Sequence, residues 1–185
     1  MITPSQLARV AVVGTSGAGK TTLARQLSAR LNAPLIELDA LYWGPNWTPV
    51  AADQFRTAVD KSTSQPRWVC DGNYSPVRDL VWRRATTIVW LNLSFPVVFS
   101  RALRRTISRG FNRSELFAGN RESFRQSFFS RDSILLWILQ THWRRQHEYP
   151  RLFGEPHHAH LHIVEVRAAK TANALLEAAT TANRG

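Results

Sequence analysis

A parallel α/β fold, with a sheet wrapped by helices on its faces, is predicted for this chain by three observations. Short apolar runs recur with helical stretches between them, the first run ends in a glycine-rich turn that opens onto an amphipathic segment, and neither an internal repeat nor a low-complexity linker interrupts the pattern. Strands and helices that alternate in this way bury one another as layers.

The first strand is expected over residues 10–13, a continuous apolar run of the kind that is buried on both faces. From Lys20 onward Leu23, Leu27 and Leu31 recur at helical spacing with Ala24 beside them, and Asn32 with Pro34 ends the segment. Four further strands are expected over 35–38, 67–70, 87–93 and 161–166, giving a five-stranded parallel sheet. After the fourth, Ser94 caps a helix running to about Arg109. Residues 110–125 mix Gly110, Gly119 and Asn120 with Arg113, Arg121, Arg125 and several Phe, which reads as a mobile, partly helical insertion. A helix over 132–147 and an Ala-rich closing helix over 168–182 complete the chain. A single domain over 1–185 is expected, with a lid-like helical insertion at 110–147.

Composition narrows the function classes. With 185 residues, 44% of them hydrophobic, the chain can bury one sizeable core. Its only cysteine, Cys70, cannot form an internal disulfide, and metal sites built from several thiolates are excluded. The N-terminal residues lack a basic segment followed by a long apolar run, and the most apolar stretch, 134–139, is too short to span a bilayer. A cytoplasmic protein without a membrane partner is the expectation. The formal net charge of +11 rests on 21 Arg against 3 Lys, which calls for an anionic partner. Guanidinium forks match phosphate oxygens, so a polyphosphate and a nucleic acid both qualify.

The segment Gly14-Thr15-Ser16-Gly17-Ala18-Gly19-Lys20-Thr21 satisfies the pattern of a glycine, four residues and Gly-Lys-Thr, between an expected strand and an expected helix. This is a P-loop. Its glycines let the backbone curl so that successive amides point inward, and the positive end of the helix dipole adds to that field. Gly14, Ser16, Gly17, Ala18 and Gly19 form the cradle, Lys20 reaches the β and γ phosphates, Thr21 offers its hydroxyl to Mg2+, and Thr22 touches the α phosphate.

The donor loop does not name the acceptor, so the carboxylates at neighbouring strand ends matter. Glu37 and Asp39 close the second expected strand, two apart and hence on one face. Asp71-Gly72-Asn73 closes the third, and ligands gather outside the carboxyl ends of strands in an open parallel sheet. Asp71 suits magnesium through water, and Asp39 suits a general base close to the transferred phosphoryl group. Tyr42, Trp43 and Trp47 follow in a turn-rich loop that reads either as a substrate wall or as satellite core.

Arg101, Arg104 and Arg105 fall within two helical turns, Arg101 and Arg105 sharing a face, and like charges so placed need an anion. Arg109, Arg113, Arg121 and Arg125 continue the series into the expected lid. His157 and His158 read as loop residues, His160 and His162 as alternating strand residues, and Arg144-Arg145 with His142 and His147 as a wetted helix face rather than a ligand set.

Taken together these residues resemble the adenylate-kinase-like group of P-loop kinases, and in particular the bacterial family known as DNA topology modulation proteins. The resemblance rests on residues 14–22, on Leu38-Asp39 with Trp43 and Trp47, on Asp71-Gly72-Asn73-Tyr74, on the strand 88–93 leading to Arg101 and Arg105, and on Asp132-Ser133-Ile134-Leu135 with Trp137. It implies that Asp71-Gly72 matches the Asp-Gly of adenylate kinases and that Arg101 and Arg105 contact bound ATP. Adenylate kinases continue with Phe-Pro-Arg, whose Arg holds the acceptor phosphate, whereas this chain has Asn73-Tyr74-Ser75. Asn73 and, one turn on, Arg78 are then the candidates to meet the acceptor. The expectation is Mg2+-dependent transfer of the ATP γ-phosphoryl group to a small acceptor, catalysed by Lys20, Asp39, Arg101 and Arg105. A nucleic-acid-associated nucleotide-binding protein and a nucleotide-binding regulator without transfer activity are the alternatives.

Overall fold

The structure is a computed structural model that describes residues 2–112 and 134–183, with side chains described over 2–104 and 139–183. Five parallel strands form one sheet: β1 (Arg9–Gly14), β2 (Leu35–Glu37), β3 (Trp68–Asp71), β4 (Thr87–Leu91) and β5 (His162–Val166), in the spatial order β2-β3-β1-β4-β5. Among the described residues seven α-helices accompany them: α1 (Lys20–Leu31), α2 (Leu38–Tyr42), α3 (Ala52–Thr63), α4 (Arg78–Arg84), α5 (Phe95–Asn112), α6 (Ile134–Phe153) and α7 (Ala169–Ala182).

The central strand shows why an uninterrupted apolar run was needed. Val10 and Val12 turn into one core with Leu23, Leu27 and Leu31 of α1 and Leu175, Leu176 and Ala179 of α7. Ala11 and Val13 turn the other way, into a core with Phe55, Val59, Trp68, Val81, Trp82, Trp90 and Tyr149. A period of two buried on both sides leaves no polar position in the strand interior.

The chain passes from β3, on one side of β1, to β4, on the other, so the carboxyl end of β1 sits where the strand order reverses. In sheets of this class that crevice is where ligands bind. Register puts Val12 beside Asp71 and Gly14 beside Leu91, which brings the P-loop and the acidic end of β3 to one edge.

Several expected boundaries shift. β2 stops at Glu37, and Leu38, 2% exposed, begins the short helix α2 instead of extending the strand. Leu38 packs on Gly72, where a Cβ would stand 2.8 Å from the Leu38 side chain, and that close approach draws the chain inward. β4 ends at Leu91; the Asn92 backbone N–H still donates to the Val166 carbonyl oxygen (3.0 Å), and its side-chain amide donates to Glu165 Oε1 (2.6 Å). α5 runs to Asn112, past the expected end at Arg109, and α6 continues beyond His147 to Phe153. Of the expected lid over 110–147, residues 113–133 lie outside the described residues, with Arg113, Arg121, Arg125, Asp132 and Ser133 among them.

Among the described residues no helix is long and apolar enough to cross a membrane. Leu27 is fully buried between α1 and the sheet. Leu27→Ala is therefore expected to cost about 3 kcal/mol, read as a lower urea midpoint with an unchanged slope; a midpoint equal to wild type would contradict this packing.

Candidate functional site

The P-loop joins β1 to α1, and its shape is set at its first residue. Gly14 has φ +147°, and a Cβ there would stand 2.7 Å from the carbonyl oxygen of Leu91 on β4. No side chain fits. The Gly14 N–H donates to Asn73 Oδ1 (3.1 Å), and Asn73 Nδ2 donates back to the Gly14 carbonyl oxygen. From α6, the Tyr149 hydroxyl donates to the same Asn73 Oδ1 (3.0 Å), and Arg145 Nη1 donates to the Gly14 oxygen at 3.4 Å.

At the other end of the loop, Gly19 caps α1 in the left-handed region with no side-chain cap bond. The first-turn amides of Lys20, Thr21 and Thr22 and the positive helix terminus thus stand at the loop mouth, the arrangement that suits an anion. Arg101 of α5 reaches across and donates Nη1 to the Ala18 carbonyl oxygen (3.1 Å). Arg104 is exposed, and the Arg105 side chain lies outside the described residues.

Thr21 Oγ1 donates to Asp71 Oδ2 at 2.5 Å. Asp71 is buried at 6% exposure, and its Oδ1 has no partner. Burial raises the Asp71 pKa above the ordinary carboxylate value, the Lys20 charge and the Thr21 bond pull it back, and Asp39 and Glu37 push it up again. A hydroxyl on a buried carboxylate with an unmet oxygen, beside a lysine, fits a hard divalent cation that takes one or two protein oxygens and fills the rest with water and phosphate.

On the far side, Asp39 belongs to α2 rather than to β2, so it is not the strand-mate of Glu37. Glu37 pairs with Arg25 (2.8 Å), whereas Asp39 Oδ1 accepts a bond from the Tyr74 hydroxyl (2.6 Å). Burial, then the Asp39 charge, holds the Tyr74 phenol well above its ordinary pKa, which keeps it a proton donor. Tyr74 stacks obliquely on Tyr42 (centroids 4.7 Å), Tyr42 meets Trp43 edge-on (4.8 Å) and Phe55 (5.1 Å), and Trp43 meets Trp47 (5.7 Å). The two readings of these aromatics merge: the half-buried Tyr42 and Tyr74 pack on the buried Phe55, and Trp43 and Trp47 extend that surface outward. The Trp43–Pro49 bridge and the Val50 N–H on the Tyr42 carbonyl (2.9 Å) fix the loop.

The structure thus brings Gly14, Ser16, Gly17, Ala18, Gly19, Lys20, Thr21, Asp71 and Arg101 to one edge of the sheet, with Asp39, Tyr42, Trp43 and Trp47 on the wall that Tyr74 joins to it. Thr22 is exposed on α1. Two expected acceptor residues are otherwise engaged. Asn73 spends its amide on Gly14, and Arg78 pairs with Glu148 (3.0 Å) while lying over the Trp82 ring (5.4 Å). The expected wetted face of α6 is partly inward: His142 is buried, and desolvation lowers the pKa of Arg145. Sequence reading missed Tyr74, Arg145 and Tyr149. Arg145 and Tyr149 share a helix face at i, i+4, and that spacing was the available signal.

Comparison with known proteins supports the fold. The model of the ATPase family associated with various cellular activities (AAA) matches residues 10–70, which is less than half of the chain. No curated protein sequence matches. Among solved structures, shikimate kinase from Acinetobacter baumannii in complex with shikimate is 17% identical, with a TM-score of 0.55 over 93% of this chain and 90% of that one. Shikimate kinase from Bacteroides thetaiotaomicron is 16% identical, with a TM-score of 0.54 over 92% and 95%. A gluconokinase from Sinorhizobium meliloti 1021 is 22% identical, with a TM-score of 0.53 over 96% and 92%. At these identities the likeness is one of fold. This is a P-loop NTPase fold.

Burial gives Asp71 a pH signature. Its folded-state pKa lies above the ordinary 3.8, so the folded chain holds that proton more tightly than the unfolded chain does. The contribution of Asp71 to stability is greatest below pH 3.8 and falls as pH rises through the folded-state value. Above that window the buried charge remains as a cost. Asp71→Asn is expected to raise the melting temperature of the nucleotide-free protein at neutral pH and to lose this advantage at acid pH. A variant that melts lower at every pH would show that the bonds to Thr21 and Lys20 outweigh burial.

Proposed function

We propose that this chain transfers the γ-phosphoryl group of ATP, as its Mg2+ complex, to a small hydroxyl- or phosphate-bearing acceptor, and that it acts as one domain of the adenylate-kinase-like group of P-loop kinases. The observation that carries the reading is the Thr21 hydroxyl on the buried, half-satisfied carboxylate of Asp71, directly after a P-loop lysine. A loop that only turned the chain has no use for a desolvated carboxylate at that place.

In this reading the amides of the P-loop and the first turn of α1 take the β and γ phosphates, and Lys20 neutralises charge between them. Thr21 and Asp71 would hold magnesium, which would supply charge neutralisation on the phosphate oxygens. Arg101, bonded to Ala18, stands over the loop, and Arg105 follows one turn later on α5. Asp39 accepts the proton of the acceptor hydroxyl as its oxygen bonds to the γ phosphorus and the bond to the ADP oxygen breaks. Tyr74 keeps the Asp39 carboxylate oriented through Oδ1. The aromatic surface of Tyr42, Trp43 and Trp47 gives a ring-bearing acceptor a face to lie on. The resemblance to the DNA topology modulation family belongs to the same reading and adds no acceptor.

Two substitutions separate binding from transfer. Lys20→Ala is expected to abolish turnover and to weaken triphosphate binding strongly. Asp39→Asn is expected to leave the ATP dissociation constant within a factor of about 2 while cutting turnover by about 100-fold or more. Turnover is measured as phosphorylated product from a metabolite panel with labelled ATP. Full activity in Asp39→Asn would remove that carboxylate from the chemistry, and ATP binding without any phosphorylated product would remove the kinase.

A further inference from the structure

We propose that Arg78 of α4 and Arg145 of α6 form a site for an oxyanion, a carboxylate or phosphate group carried by the acceptor, and that the Glu148 carboxylate holds the place of that group in the free protein. The inference deepens the kinase reading and rests on it only for calling the ligand the acceptor.

A narrow recess opens at the carboxyl ends of β1 and β3, lined by Asn73, Tyr74, Arg78, Trp82 and Tyr149. Tyr74 is the wall it shares with the acceptor side, since the Tyr74 hydroxyl donates to Asp39 (2.6 Å). Sequence puts the charged groups there. Arg78 begins α4 directly after the single 3-10 turn Ser75–Val77, and Arg145, Glu148 and Tyr149 share one face of α6 at i, i+3 and i+4.

The charges in this corner do not balance. Burial raises the pKa of the Tyr149 phenol, and three arginine charges, Arg145, Arg78 and Arg144, act on it against the one carboxylate, Glu148. Burial is also the main cause that lowers the Arg145 pKa; Tyr149 and Glu148 oppose it, and Arg144 and Arg78 add to it. A guanidinium stays protonated under such pressure, so the surplus positive charge remains until an anion meets it.

Neither arginine is used up. Arg78 gives one Nη1 to Glu148 Oε1 (3.0 Å) while the Trp82 ring holds its guanidinium at 5.4 Å, and Arg145 Nη1 reaches the Gly14 oxygen only at 3.4 Å. Each fork carries five N–H donors, and a carboxylate or phosphate matches two of them at once. The Glu148 side chain is 35% exposed, so it can turn out to water by rotating its own bonds. Binding then exchanges one ion pair for another and needs no proton transfer. An acceptor held in this way has its anionic end on Arg78 and Arg145 and its hydroxyl toward Asp39, with Tyr74 between them. The class that follows carries an anionic group beside its hydroxyl, as opposed to a neutral alcohol.

Side-chain NMR of the full chain, reading the Arg78 Nε–H and Trp82 indole signals during titration with benzoate, phenyl phosphate or uncharged benzyl alcohol, tests this. Backbone amides of residues 14–22 report separately any probe that goes to the P-loop. The expected result is saturable shifts at Arg78 and Trp82 with benzoate or phenyl phosphate, the tighter of the two naming the anionic group, and none with benzyl alcohol. Glu148→Gln is expected to tighten anion binding by about 3-fold or more, because the competitor loses its charge. Arg78→Gln and Arg145→Gln are each expected to weaken it by about 10-fold or more. If the arginine variants do not fold, Glu148→Gln alone decides the matter. An ion pair with only a structural role behaves otherwise: Glu148→Gln would lower the melting temperature and leave anion affinity unchanged, and that result overturns the proposal. So does the absence of saturable shifts at Arg78 and Trp82 in both wild type and Glu148→Gln. No step uses ATP or phosphoryl transfer, so failure here leaves the kinase reading standing.

Discussion

The position of Gly14 is the constraint on which the rest of the site depends. Its backbone lies against the Leu91 carbonyl on one side and is gripped at both its N–H and its C=O by the Asn73 amide on the other. A phosphate cradle made of main-chain amides works only if the chain is already curled, since amides that had to be ordered by the ligand would forfeit much of the binding free energy. The clamp fixes where the curl begins, and the start of α1 at Lys20 fixes where it ends. Because Asn73 follows β3 and Tyr149 and Arg145 come from α6, the cradle is tied to two separate parts of the chain.

Electrostatics then divides the edge of the sheet into two halves. Asp71 is buried with one oxygen unanswered and stands beside Lys20 and Thr21, and in the proposed reading that half takes the cation and phosphate. Asp39 is exposed, held by Tyr74, and bordered by aromatic rings, and in the proposed reading the other half takes the acceptor. Among the described residues Arg25 pairs with Glu37, Arg56 with Asp79 and Arg78 with Glu148.

Much of this was legible in the sequence, for identifiable reasons. The run at β1, the Leu23, Leu27 and Leu31 stripe of α1 and the Gly-Lys-Thr ending are local signals, each decided by a few neighbouring residues. Asp71 at the end of β3 was placed by a general property of parallel sheets. What escaped was set by tertiary contact. Leu38 reads as a strand residue until Gly72 is known to lie against it, and with Leu38 turned inward Asp39 moves from a strand to a helix. Asn73 reads as an acceptor ligand because nothing local says that it faces Gly14, 59 residues away. Arg145 reads as a solvated charge for the same reason.

The central claim is that the main-chain amides from Gly14 to Thr22 hold a row of phosphates. Backbone amide NMR of the full chain, titrated with a non-hydrolysable ATP analogue and Mg2+, tests it most directly. The account predicts the largest shift changes at 14–22, with smaller ones at Asp71 and Asn73, and saturation at one nucleotide per chain. Saturable shifts confined to another part of the molecule, or none at all, would contradict it.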